Sequence, residues 1–178
     1  MIPKLKNQKG FTVLESIVAI LILSLSISGV FSAVQQSLSQ SIIAKDEVKA
    51  FYLAQEAIEI IRNKRDSNQL AKLDNPSVSW LDGITSVCPI GNTCTVDARN
   101  FQIFNCGTGG WGSCTQYLKQ DPNTFLYSYI SGNPTNFKRE IQIESINTDE
   151  MTVTVRIYWK KGLIPLEFKV KTHLFSWI

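Results

Sequence analysis

Four cysteines, a single histidine and a carboxylate leading an apolar run are the residues of this 178-residue chain with the most chemistry open to them. Cys88, Cys94, Cys106 and Cys114 can act as metal-binding thiolates or pair as disulfides. Structural zinc sites usually separate paired ligands by about two to four residues, whereas the gaps here are five and seven. An even cysteine count in an oxidising compartment reads instead as disulfides, and four cysteines admit three pairings. Neighbour pairing, Cys88–Cys94 and Cys106–Cys114, is the preferred reading. It closes short loops over Pro89-Ile90-Gly91-Asn92 and Gly107-Thr108-Gly109-Gly110, both flexible enough for the close Cα approach a disulfide needs. The other pairings and a tetrathiolate zinc site remain the alternatives.

Catalysis finds no support. His173 falls on the polar face of an alternating segment near the C-terminus, where a solvated or structural role fits better than that of a base. Gly107-Thr108-Gly109-Gly110 lacks the following Lys and helix of a phosphate loop, and no Walker or dinucleotide fingerprint is present. Lys160-Lys161 reads as a solvated hairpin tip, with contact to DNA or a neighbouring subunit as the rival use. The expectation is a non-enzyme without cofactor or metal.

Glu15 is the third feature. From Ser16 to Ala44 there are 29 consecutive residues without Asp, Glu, Lys, Arg or His. Phe11 to Val34 would form a helix about 36 Å long, enough to span a hydrocarbon core of roughly 30 Å. A buried soluble helix is the alternative, but the basic flank fits a membrane better. Lys4, Lys6 and Lys9 precede the run, no acid lies among the first ten residues, and no basic residue follows before Lys45. The positive-inside rule places the N-terminus in the cytoplasm and the bulk of the chain outside. A carboxylate at the start of such a helix is either an interfacial residue favoured by the macrodipole or a group with a partner. The junction Lys9-Gly10-Phe11 lies before the apolar run, whereas a secretory signal is cut behind it.

Lys9-Gly10-Phe11-Thr12-Val13-Leu14-Glu15-Ser16, followed by the apolar run, resembles the N-terminus of type IV prepilins and type II secretion pseudopilins. The match covers residues 1 to about 35. The resemblance implies a leader of residues 1–10 with Gly10 as its last residue, removed by a prepilin peptidase. It implies Phe11 as the N-methylated mature N-terminus, and Glu15 as the acid required for assembly. It also implies a long N-terminal helix with a globular α/β head. Major pilins often carry a Pro within this helix. Here there is none, but Gly29 and serines at 24, 26, 28 and 32, which points to a minor component.

The remaining elements follow from periodicity. Apolar residues continue at helical spacing through Val34, Leu38, Ile42, Ala44, Val48, Phe51, Ala54, Ile58 and Ile61. The expected helix runs from about Thr12 to Asn63, with an amphipathic half over 35–66, and fails near Asp66-Ser67-Asn68. Residues 75–137 hold seven Gly, seven Asn and five charges and read as irregular, with short strands near Cys94–Ala98, Phe101–Phe104 and Leu126–Ile130. Residues 138–177 read as a three-stranded antiparallel meander. Met151, Val153, Val155, Ile157 and Trp159 share one face of its middle strand. An amphipathic helix laid on a one-sided sheet buries both apolar faces, so the fold class is α+β with a head over 67–178.

Charged residues make up 19% of the chain, and without the three leader lysines its +3 net charge vanishes. Four Trp and nine Phe exclude a disordered chain, and so small a charge excess does not argue nucleic-acid binding. The expected function is that of a minor pilin or pseudopilin, a structural subunit of a type IV pilus-like filament. Its partners would be other pilin subunits, the prepilin peptidase and a membrane assembly platform. It would sit as a single-pass protein of the cytoplasmic membrane and then enter an extracellular or periplasmic filament. The alternatives are a pilin whose head captures DNA or a surface ligand, and an anchored domain that never polymerises. Glu15 and the Gly10–Phe11 junction argue against the last.

Overall fold

The computed structural model describes Gly10 and residues 12–176. The leader lysines Lys4, Lys6 and Lys9, the expected mature N-terminus Phe11 and Trp177, the expected end of the last strand, lie outside the described residues. The chain divides into two compact units, Met1–Ala44 and Lys45–Ile178. Helix α1, Val13–Asp74, contributes to both.

In the first unit α1 is apolar on every side, and almost every described side chain is exposed. This part is long and apolar enough to cross a membrane, and none of its most apolar stretch is buried within the chain. The serines that replace a helix-breaking Pro fold their hydroxyls back. Ser26 Oγ donates to the Ile22 carbonyl and Ser28 Oγ to that of Ser24, each at 2.8 Å. A polar group in an apolar helix is thereby satisfied within its own turn.

In the second unit the remainder of α1 lies on an antiparallel sheet, giving the expected α+β head. The main sheet has five strands in the order β2-β1-β6-β7-β8. They are β1 Thr93–Asp97, β2 Gln102–Asn105, β6 Lys138–Ser145, β7 Glu150–Lys161 and β8 Ile164–Phe175. The short strands β3 Lys119–Gln120, β4 Tyr127–Ser128 and β5 Asn133–Pro134 form a second sheet. Period-two alternation sets the register, with Val155 opposite both Ile141 and Val170. Met151, Val153, Val155, Ile157 and Trp159 are all buried, so one face of the middle strand lines the core as its pattern requires.

Four expectations need correction. The meander is not a free three-stranded sheet, because β1 joins it by pairing Cys94 with Ile141. The strand expected from Phe101 begins instead at Gln102, since Phe101 closes the β1–β2 turn with a left-handed φ of 56°. The strand expected over Leu126–Ile130 shrinks to Tyr127–Ser128. Beyond it, the backbone N–H groups of Tyr129 and Ile130 donate to the Asp97 carboxylate and the Ser128 hydroxyl instead of a ladder.

The fourth concerns α1, which does not fail at Asp66-Ser67-Asn68 but continues to Asp74. Of the turn-favouring side chains there, Ser67 returns its hydroxyl to the Asn63 carbonyl, Asp66 pairs with Arg65, and Asn68 is claimed by tertiary partners. Asn68 Nδ2 donates to the carbonyls of Trp80 and Asp82, at 3.2 and 2.7 Å. Arg65 donates to the Phe175 carbonyl at 3.1 Å. The helix stops before Pro76, where the ring disfavours helical geometry at Asn75.

The packed stripe of α1 keeps Ala54, Ile58 and Ile61 of the expected set but is otherwise shifted. Ala50, Leu53, Ala54, Ala57, Ile58, Ile60 and Ile61 face the core, while Val48 and Phe51 are exposed. Three alanines in this stripe let the helix approach the sheet more closely than a stripe of large residues allows. Arg139 fastens the two layers. Its guanidinium is fully buried and donates to the carbonyls of Leu53 in α1 and Val96 in β1, and to the Glu56 carboxylate.

Candidate processing and assembly site

The start of α1 is built by a local hydrogen-bonding pattern. Thr12 precedes the first helical residue, and its Oγ1 accepts the Glu15 backbone N–H at 3.2 Å. The Ser16 backbone N–H reaches the Thr12 carbonyl at 3.2 Å. Thr12 is thus the N-cap and Glu15 stands three residues on, the spacing of a capping box. The sequence reading overlooked Thr12, although Thr-x-x-Glu ahead of an apolar run is a legible signal. Glu15 is exposed and lies in the first turn, where the helix dipole favours a negative charge. Gly10 is also exposed, and a Cβ built on it meets nothing within 4 Å.

An open glycine, a capped helix start, one carboxylate in the first turn and an uncovered apolar helix form a consistent set. Residues 5–31 match the family model described as the prokaryotic N-terminal methylation motif. The chain carries the type IV pilin-class signal. No curated protein and no solved structure matches the chain. The matched segment covers Lys6, Lys9, the Gly10–Phe11 junction, Glu15 and most of the apolar run. The whole head lies beyond it.

The head holds the other residues singled out in the sequence. Cys88 is joined to Cys94 and Cys106 to Cys114. The first bridge fixes the loop after α1 to β1, and both of its cysteines are fully buried. The second closes the loop that carries Trp111. Glu140 holds that loop from beneath, its buried carboxylate accepting the backbone N–H groups of Gly112 and Cys114 at 2.8 and 3.1 Å. Each bridge closes a short loop, so replacing either cysteine pair by alanine should lower head stability by about 2–3 kcal/mol. Denaturant unfolding of the two variants measures this, and non-reducing peptide mapping should recover the same two linked pairs.

His173 does not approach a nucleophile. Its Nδ1 stands 2.8 Å from Glu150 Oε1 and its ring stacks on Phe175, a surface pair that ties β8 to β7. Lys160 and Lys161 end β7 at the hairpin tip. Among the described residues no group of three or more His, Cys, Asp or Glu is placed to hold a metal ion. Glycines 107 and 110 have positive φ and stand in the loop between β2 and β3, with no helix following to receive a phosphate. Elsewhere the shifted groups are structural. Tyr129, bonded to Thr95 Oγ1, has its phenol pKa raised mainly by burial. Asp121 is lowered by the backbone N–H groups of Asn123 and Thr124, which its carboxylate accepts.

Proposed function

We propose that this chain is a structural subunit, of minor pilin or pseudopilin type, in a type IV pilus-like filament. The observation that carries the reading is the combination of the Gly10–Phe11 junction with Glu15 at the head of an apolar helix whose described side chains are exposed. Proteins of this class are generally structural, not enzymatic. The precursor is held in the cytoplasmic membrane by the apolar part of α1, with the leader lysines inside and the head outside. A prepilin peptidase cuts after Gly10, which leaves Phe11 with a free cationic amine that is then methylated.

Glu15 supplies the countercharge. Parallel helices stacked with axial offsets bring the amine of one subunit toward the carboxylate of another. The pair offsets part of the cost of holding either charge in an apolar filament core, and wrong registers leave both unmatched. The apolar faces exposed on α1 are buried by neighbouring helices in the same step. The other partners are the pilin subunits and the membrane platform that lifts them out of the bilayer.

Protein recovered from its native host should therefore begin at Phe11 and carry one added methyl group, as read by intact mass and N-terminal peptide sequencing. A mature N-terminus near residue 30 would mark an ordinary signal peptide and defeat the filament reading.

A further inference from the structure

The hairpin joining β7 to β8 exposes apolar side chains that the core does not use. Leu163 at its tip is 97% exposed and Ile164 is 61% exposed. Lys160 and Lys161 come just before them, and no acid occurs between Lys160 and Leu166. Soluble hairpin tips normally carry polar turn residues. Gly162 supplies the positive φ of 60° that this turn needs, so Leu163 and Ile164 are not required by its geometry.

The end of the head on which the tip lies follows from three contacts. The ring of Phe168 packs edge-on against Phe51, at 6.0 Å between centroids. Farther along, Thr172 accepts a hydrogen bond from Arg62, and the Phe175 carbonyl accepts one from Arg65. Strand β8 and helix α1 therefore advance in the same direction. Leu163, five residues before Phe168, extends about 17 Å beyond that ring contact at roughly 3.3 Å per residue. It points toward the Lys45 end, where the chain enters the head.

A second loop exposes apolar groups at this end. Phe125, in the turn between β3 and β4, is held at a left-handed φ of 59° and is 68% exposed. It borders a shallow cavity with Lys49, Tyr52 and Tyr127. A bulky residue rarely adopts that conformation and persists in it only where the surroundings impose it. Of the acids near this rim, Asp46 lies 4.0 Å from Lys49 and Glu56 is bound to Arg139. Glu47 has no such partner among the described residues.

We propose that the β7–β8 tip docks on the anionic headgroup surface of the membrane that anchors the subunit before assembly. This rests on the anchored-precursor reading above. Only about ten residues separate the apolar run ending at Val34 from Lys45, so the head is tethered within a short chain length of the bilayer. Leu163 and Ile164 enter the interfacial layer, and the exposed Lys160 meets lipid phosphate. Leaving the membrane for a filament then breaks a weak, salt-sensitive contact.

The test uses the full chain inserted into phosphatidylcholine vesicles with and without phosphatidylglycerol, reading amide hydrogen exchange over residues 160–166. Exchange should slow on the order of tenfold when phosphatidylglycerol is present, and added salt should reverse the change. Leu163→Asp combined with Ile164→Asp should abolish the difference while carbonate-resistant insertion stays intact. Equal exchange in the two vesicle types, with the chain inserted, overturns the docking and leaves the filament reading standing. Protection seen only in assembled filaments also overturns it, since a second copy would then be the occupant. A chain that fails to insert overturns the anchored precursor and the docking together.

Discussion

Filaments from cells carrying Glu15→Val are expected to hold about a hundredth or less of the subunit found with the parent, at an unchanged membrane level. Removing one partner of a buried ion pair costs about 3–5 kcal/mol, because the other charge stays buried without compensation. At about 1.4 kcal/mol per tenfold, that is two to three orders of magnitude in incorporation. The earlier steps should survive. The Thr12 cap acts on the backbone N–H of Glu15, which valine retains, and valine lowers helix propensity only slightly. Membrane insertion becomes easier without a carboxylate, and the cleavage junction at Gly10 is untouched. The measurement is the ratio of filament-bound to membrane-bound protein. Equal ratios in variant and parent would show Glu15 to be an interfacial residue whose only role is to favour the helix start.

Arg139→Ala is expected to lower the melting temperature of the head by roughly 10 °C or more, from a loss of about 3–5 kcal/mol. The ladder between β1 and β6 pairs only Thr93 with Gln142 and Cys94 with Ile141. Past Cys94 the strands part, and the Arg139 guanidinium fills the gap by donating to the Val96 carbonyl at 2.6 Å. The same group donates to the Leu53 carbonyl at 3.2 Å and to Glu56 at 2.5 Å. Alanine removes these bonds and leaves a cavity, and the Val96 carbonyl is left buried without its donor. Arg139→Met keeps most of the volume and should cost distinctly less. Thermal unfolding of the detergent-solubilised full chain, followed by near-ultraviolet circular dichroism, separates the two. Equal melting of Arg139→Ala and parent would show that the buried cation is dispensable to the head.

The anchor and the signal were readable because they are local. A charge-free run, a basic flank and a Gly-Phe junction four residues before Glu15 are one-dimensional facts, and a membrane helix satisfies its own backbone without distant partners. The β7 and β8 strands were readable for a related reason. Strict alternation over Met151–Trp159 and Leu166–Leu174 admits one buried face, and a one-residue slip would expose all of it.

Where the reading departed from the structure, the deciding partner lay far along the chain. Asp66-Ser67-Asn68 favours a turn locally, yet α1 continues because Trp80, Asp82 and Phe175 supply acceptors for Asn68 and Arg65. Of the expected stripe Ala54, Ile58 and Ile61 are buried, but Val48 and Phe51 are exposed and Ala50, Leu53, Ala57 and Ile60 take their place. The Leu126–Ile130 strand is cut short by Asp97, about thirty residues earlier in sequence. Arg139 shares the inward face of β6 with Ile141 and Ile143 by alternation, but its acceptors, the Leu53 and Val96 carbonyls and Glu56, are supplied by distant segments. The sequence by itself determined the apolar helix long enough to cross a membrane, its N-terminal methylation motif and the alternating strands, because each depends on neighbours within a few residues. Only the tertiary structure decided where α1 ends, which face it buries, how β1 joins the sheet and where the β7–β8 tip lies. Those outcomes depend on hydrogen bonds and packing between segments that no local pattern relates.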